Sequence, residues 1–367
     1  MCGGSQWAPL PNPRDDRAML SDLRVLAEPL DKWSCRTCAI ARRDRRAGSD
    51  AFFGSGYTLY DHAPGAPRET ARQRVYADWI GAQCPDPPAS IFDAGCGNGS
   101  LLLALGARWP AARLRGVDAS PESVAHARAA GIDAAAGLLE QAPRQPADLV
   151  ISVNVVEHTD DPMTFVAALA AMLAPGGTLV VICPDGGHPW SELVIADHRW
   201  SFTPAHLSGM VTEAGLRPVG MSSAPRELGA FQMVAGRQMN AVSYDPPVPG
   251  SVDALIEARR AYLEQWRVLD GLLEARAGTG ALTCFGAGEA AGLLRAYAPA
   301  TWSRVAGCTA DAPEQERFDN LPVVHYADGL NARTMLLGVR PAAQPALAAR
   351  LSGDGHAVVR WDDVIAE

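Results

Sequence analysis

Ile91-Phe92-Asp93-Ala94-Gly95-Cys96-Gly97-Asn98-Gly99-Ser100 is the stretch that decides how the centre of this chain folds. Its first four residues read as the end of a buried strand, and Leu101 to Leu105 as the apolar start of a helix. Between them, glycines stand at alternate positions 95, 97 and 99. A backbone without Cβ atoms turns tightly there and can come closer to a bound molecule than other residues permit. The turn also aims the unsatisfied N–H groups of a helix start at that molecule. About twenty residues on, Leu114-Arg115-Gly116-Val117-Asp118 reads as a second strand ending in a carboxylate, placed to accept hydrogen bonds from ribose hydroxyls. The loop is not a phosphate cradle. The pattern GxxxxGK[ST] is missing, and Lys32 is the only lysine in the chain.

Working outward, strands are expected over 91–94, 114–118, 148–153 and 178–183, with helices over 100–107, 121–130 and 162–173 between them. Such alternation means a parallel sheet covered on both faces, an α/β fold. Pro175-Gly176-Gly177 breaks the chain before the fourth strand. Ligands of open parallel sheets sit beyond the carboxyl ends of the strands. Those ends carry Asp93 and the glycines, Asp118, then Asn154 and Glu157-His158. A stiff linker with Pro246, Pro247 and Pro249 follows at 243–250. Beyond it, a long helix over 252–277 precedes further alternation, at 281–285, 289–297, 305–308, 334–339, 344–351 and 357–360. Residues 1–62 are rich in Pro, Arg and Gly and weakly periodic, so they need a staple or a neighbour to order them. The expected organisation is an N-terminal segment 1–65, a central domain 66–242 and a smaller Rossmann-like domain 251–367.

Composition narrows the function classes. A hydrophobic content of 48% with 20% charged residues describes a soluble globular protein with ample core. The apolar runs are strand-length, so no membrane span is expected, and no secretory signal is visible, which makes the cytoplasm the expected location. The net charge of −9 argues against a nucleic-acid partner. Arg42-Arg43-Asp44-Arg45-Arg46 reads as a solvated loop, because an acidic residue interrupts it. The eight cysteines should be reduced in the cytosol. Cys96, Cys183 and Cys284 lie in or beside apolar runs and read as buried thiols, whereas Cys35-Arg36-Thr37-Cys38 lies in a polar segment.

A dinucleotide fold would show GxGxxG, and a glycine turn with no ligand is the plainer alternative. Asp93-Ala94-Gly95-Cys96-Gly97-Asn98-Gly99-Ser100 instead resembles the first motif of class I S-adenosylmethionine (SAM) methyltransferases. Leu173-Ala174-Pro175-Gly176-Gly177-Thr178 is similar to the same family's L-x-P-G-G turn. The resemblance implies SAM as cofactor, held by Asp93, Gly95, Cys96, Gly97, Asp118, Ala119 and Asn154. Glu157-His158 has two readings: ligands of a divalent metal, as in the similar segment of some quinone O-methyltransferases, or a helix N-terminal Glu with its His packed locally. No second acidic ligand stands beside the pair, so the second is preferred. His198 lies on the loop between the fourth strand and a helix opened by Thr203-Pro204, where a neutral imidazole is a suitable base. Structural packing is its alternative role.

Over nearly its full length the chain resembles the three-domain SAM-dependent C-methyltransferases of deoxysugar biosynthesis. Cys35-Arg36-Thr37-Cys38 is similar to the second cysteine pair of their zinc domain, and Gly56-Tyr57-Thr58-Leu59-Tyr60 to the tyrosine segment after it. Asp197-His198-Arg199-Trp200-Ser201-Phe202-Thr203 resembles the segment holding the family's proposed base, with Asp197 where the family has Glu. Cys284-Phe285-Gly286-Ala287-Gly288-Glu289-Ala290-Ala291 resembles the turn of its C-terminal domain, without the lysine. The resemblance implies C-methylation of a keto-sugar nucleotide, or a related small biosynthetic intermediate of secondary metabolism, through an enolate. His198 is the implied base, with Asp197, Tyr57 and Tyr60 beside it. Zinc is implied on Cys2, Cys35 and Cys38, one ligand short of a tetrahedral set, with His62 a distant candidate. The C-terminal domain is expected to hold part of the acceptor. O- or N-methylation of another small metabolite, or SAM binding without catalysis, are the alternatives.

Overall fold

The computed structural model describes residues 3–44, 57, 62–238, 251–329 and 333–365. The chain forms two compact units. One gathers Met1–Ala8, Ser34–His188 and Asp197–Leu255; the other gathers Pro9–Trp33, Pro189–Ala196 and Ile256–Glu367. The stretch read from sequence as one N-terminal segment is therefore divided between the units.

Numbered along the chain, short strands come first: β1 (Trp7–Pro9), β2 (Ala18–Met19), β3 (Val25–Leu26), β4 (Lys32–Cys35) and β5 (Ala41–Arg43). Helix α1 (Pro67–Gly81) then leads into β6 (Ser90–Ala94), α2 (Ser100–Arg108), β7 (Arg113–Asp118), α3 (Pro121–Ala129), β8 (Asp133–Ala136), β9 (Ala147–Val153), α4 (Pro162–Ala170) and β10 (Leu173–Pro184). The short strand β11 (Trp200–Ser201), α5 (Pro204–Glu213), β12 (Arg217–Ser223) and β13 (Phe231–Arg237) complete the first unit.

Its main sheet has the order β12-β13-β10-β9-β6-β7-β8. Strands β10, β9, β6, β7 and β8 run parallel. Leu149, Val150 and Ile151 of β9 are fully buried, as expected of a parallel strand covered on both faces. The four strands expected from sequence are parallel as read; β12 and β13, which the sequence reading did not include, add an antiparallel edge, β13 being antiparallel to both β10 and β12. The connection from β12 to β13 is too short for a parallel crossover and can only form a hairpin.

The helix starts follow local chemistry. Ser120 caps α3, its hydroxyl accepting the Ser123 N–H at 3.1 Å ahead of Pro121. Asp161 caps α4 in the same way, accepting the Met163 and Thr164 N–H groups. The helix expected to run through 173 ends at Ala170, and Leu173 already pairs with Ala147. The ladder then shifts register before Thr178, across Gly176 at φ +79°. The run read as a solvated loop also differs. Arg42 and Arg43 belong to β5; Arg43 is buried and Arg42 stacks over Trp7 at 4.1 Å. Arg45 and Arg46 lie outside the described residues.

The second unit carries α6 (Val252–Ala277), β14 (Leu282–Phe285), α7 (Glu289–Tyr297), α8 (Pro299–Trp302), β15 (Val305–Ala310), β16 (Arg317–Phe318), β17 (Leu321–His325), β18 (Thr334–Leu337), α9 (Gln344–Gly353) and β19 (Ala357–Val359). Its sheet order is β16-β17-β15-β14-β18-β19. Helix α6 buries Tyr262, Leu263, Trp266, Leu269 and Leu273 at three- and four-residue spacing. Earlier segments are built into this unit. The Tyr297 hydroxyl donates to the Val194 carbonyl and accepts the Met19 N–H.

Candidate active site

The glycine loop follows β6 as the sequence predicts. Gly95, Gly97 and Gly99 take φ of +87°, +51° and +83°, a region that side chains rarely adopt. A Cβ on Gly95 would lie 2.2 Å from Val155 Cγ2, so space as well as conformation demands glycine. Gly99 is the N-cap of α2. Cys96 is buried against Gly116 of β7, and its thiol is pushed well up by burial, then by the charges of Asp93 and Asp118.

Asp118 stands at the end of β7, and its two oxygens accept the N–H groups of Gly97 at 2.8 Å and Ser120 at 2.9 Å. It thereby fixes the glycine loop and the Ala119 turn together. Burial raises its pKa, while those two N–H groups oppose the rise. Asp93 is only 2% exposed, and its pKa is pushed up to about 8, first by burial and then by Asp118. Among the described residues, Asp93 Oδ1 and Asn154 Oδ1 are buried without a hydrogen-bond partner. Asn154 sits at φ +57° where β9 leaves the sheet.

Asn98 joins the loop to α1. Its amide donates to the His62 carbonyl at 3.1 Å and to Glu69 at 3.0 Å, while its Oδ1 accepts from Ser100. Sequence reading missed both Glu69 and α1.

A second cluster forms where β9 ends. Val156–His158 makes a short 3-10 helix with Glu157 in its first turn, as the helix N-terminal reading of Glu157 expects. Glu157 and Asp197 are buried, and His158 and His198 are partly buried. His158 Nδ1 donates to the Asp197 carbonyl at 2.8 Å, 39 residues away in sequence. The rings of His158 and His198 stand 4.9 Å apart and nearly perpendicular. Two further ties hold this loop: Trp200 Nε1 donates to the Thr159 carbonyl at 2.9 Å, and Arg199 pairs with Asp160. The sequence singled out Asp197 and His198 but not their partnership with Glu157 and His158. No local pattern signals a contact between segments so far apart.

Of the remaining predicted residues, Tyr57 is partly buried, while Tyr60 and Cys2 lie outside the described residues. Cys35 and Cys38 are buried thiols on one tight turn, closed by the Cys35 N–H on the Ile40 carbonyl and the Ala39 N–H on the Cys35 carbonyl. A Cβ on Gly4 would lie 2.8 Å from Cys35 Sγ, so the chain just after Cys2 passes that sulfur closely.

Residues 68–220 match the family described as a methyltransferase domain. Trans-aconitate 2-methyltransferase of Streptomyces avermitilis is 38% identical over 124 residues, covering 31% of this chain and 46% of that protein. The Streptomyces coelicolor enzyme of the same name is 35% identical over 167 residues, covering 41% and 54%. The chain thus spans about half the length of the curated relatives it matches. Among solved structures, magnesium protoporphyrin IX methyltransferase from Synechocystis with bound SAH superposes with a TM-score of 0.38 at 17% identity, over 46% of this chain and 84% of that one. Mitomycin 7-O-methyltransferase gives 0.40 at 18% identity, over 46% and 54%.

Proposed function

We propose that the chain, whose residues 68–220 form a class I SAM-dependent methyltransferase domain, methylates a small-molecule acceptor at the end of β9, beside Asp197 and His198. The residues around the glycine loop fit SAM. Gly95 and Gly97 leave room for close approach, and Asp118 retains lone pairs for ribose hydroxyls beyond the two N–H groups it accepts. The unpartnered oxygens of Asp93 and Asn154 are buried acceptors that suit a ligand bearing donors and positive charge. When bound, SAM supplies an electrophilic methyl group on a sulfonium.

The observation that carries the reaction type is the imidazole pair of His158 and His198, set among buried carboxylates at the sheet's ligand edge. A heteroatom nucleophile needs little activation. A carbon nucleophile needs a base to remove the proton α to a carbonyl, and such help is worth about 10²–10⁴-fold. In our reading His198 takes that proton, and the resulting enolate carbon is the group methylated. Asp197 positions the cluster through its carbonyl on His158. Tyr57 or Tyr60 polarises the keto oxygen. The acceptor class is a keto-sugar nucleotide or a related intermediate.

Solvent exchange tests this. With S-adenosylhomocysteine bound, the full chain in D₂O should exchange the α-proton of its keto-sugar acceptor, and His198→Gln should lose about 10²–10⁴-fold of that rate. Methylation without any α-proton exchange would assign the enzyme to O- or N-transfer instead.

A further inference from the structure

We propose that Glu157, His158 and His198 form a binding site for one divalent transition-metal ion of the zinc class. One ligand atom from each residue lies within 4.8 Å of the other two. The three come from two chain segments held together by independent ties. His158 Nδ1 faces the Asp197 carbonyl at 2.8 Å, and a carbonyl only accepts, so the ring proton sits on Nδ1. Nε2 lies 3.9 Å from Glu157 Oε1. An N–H tied to a carbonyl is how metal-binding imidazoles are oriented and made more basic. The two rings are inclined by 76° and so address one point from different directions.

Donor type selects the ion. Two imidazole nitrogens and one carboxylate oxygen suit zinc-class ions, which accept three protein ligands and keep a fourth position open. Magnesium and calcium favour all-oxygen sets. Metal–nitrogen bonds of about 2.0–2.1 Å require the side chains to draw together on binding. On the reading above, in which His198 is the base, coordination has a consequence. A ligated imidazole nitrogen has no lone pair for a proton, so the metal-loaded enzyme is held inactive.

Cobalt(II) alone, titrated into the full chain after chelator treatment, tests the site. We expect a visible d–d band from nitrogen and oxygen ligands, lost in Glu157→Gln and in His158→Gln. Each variant should weaken cobalt binding by more than about tenfold, while SAM affinity, measured by calorimetry as the control for folding, stays unchanged. A spectrum carrying only thiolate-to-cobalt charge transfer would put the ion on Cys35 and Cys38 and overturn the proposal. So would no cobalt uptake, or full uptake by both variants. The two readings separate cleanly. If wild-type protein takes up no cobalt yet His198→Gln abolishes α-proton exchange, the base survives and the metal site falls. If cobalt binds but exchange is undiminished, His198 is not the base.

Discussion

Asp93 gives the site a pH dependence whose sign can be worked out. Its carboxyl is raised to about 8 in the folded protein, from an ordinary value of 3.8. The folded state therefore holds a proton that the unfolded chain releases. Its contribution to stability is full below the ordinary value and is lost as pH rises toward about 8. A cationic ligand reverses the preference, because positive charge favours the carboxylate. SAM affinity should therefore climb with pH up to about 8 and then level off, and Asp93→Asn should flatten both the affinity profile and the acid-side melting profile. Calorimetry and thermal melting across pH check this. Gly95→Ala is the steric counterpart at the same loop. Its φ of +87° and the 2.2 Å approach to Val155 Cγ2 combine backbone strain with overpacking. We expect a loss of about 2–5 kcal/mol in stability, read as a lowered melting temperature, with SAM binding abolished.

At the scale of elements, one tie of the loop bearing His198 can be removed singly. Trp200→Phe deletes the hydrogen bond to the Thr159 carbonyl while keeping the ring stacked on Phe202. About 1 kcal/mol of stability should be lost. The acceptor KM should rise with SAM affinity unchanged, because no SAM-facing residue moves; a raised SAM Kd would contradict this separation. Elements with strong periodicity or caps were legible in the sequence. Val252–Ala277 and Glu289–Tyr297 match their expected spans, and the four expected strands of the first unit lie within β6, β7, β9 and β10. Three alanines make β8 look helical, yet Asp133–Ala136 pairs along Arg115–Asp118, where ladder bonds outweigh intrinsic preference. Helix α1 opens on a polar half, and its buried apolar residues Tyr76, Ala77, Trp79 and Ile80 are confined to the last turns, so periodicity gives it only a short signal. The glycine loop was legible because each glycine has a local reason to be there. The Glu157, His158 and His198 cluster was not, because its partners meet only through the fold.

The whole molecule interleaves its two units along the chain. Pro9–Trp33 and Pro189–Ala196 belong to the same compact unit as Ile256–Glu367. Ala196 N donates to the Met19 carbonyl at 2.7 Å, and Lys32, the only lysine, reaches the Glu192 carbonyl. A truncation at 251 would strip these segments of their core, including Trp266, Tyr297 and Trp361. Removing 251–367 should therefore leave a protein that melts at a lower temperature, read by differential scanning calorimetry; an unchanged melting temperature would contradict the dependence of these segments on that core. The central claim is that the glycine loop and Asp118 hold SAM in the first unit, and calorimetry of SAM against the full chain and Asp118→Ala tests it most directly. We expect one SAM bound per wild-type chain, and a loss of about 1–3 kcal/mol in the variant, with its circular dichroism unchanged. No binding by wild type, or equal binding by both proteins, would contradict the account.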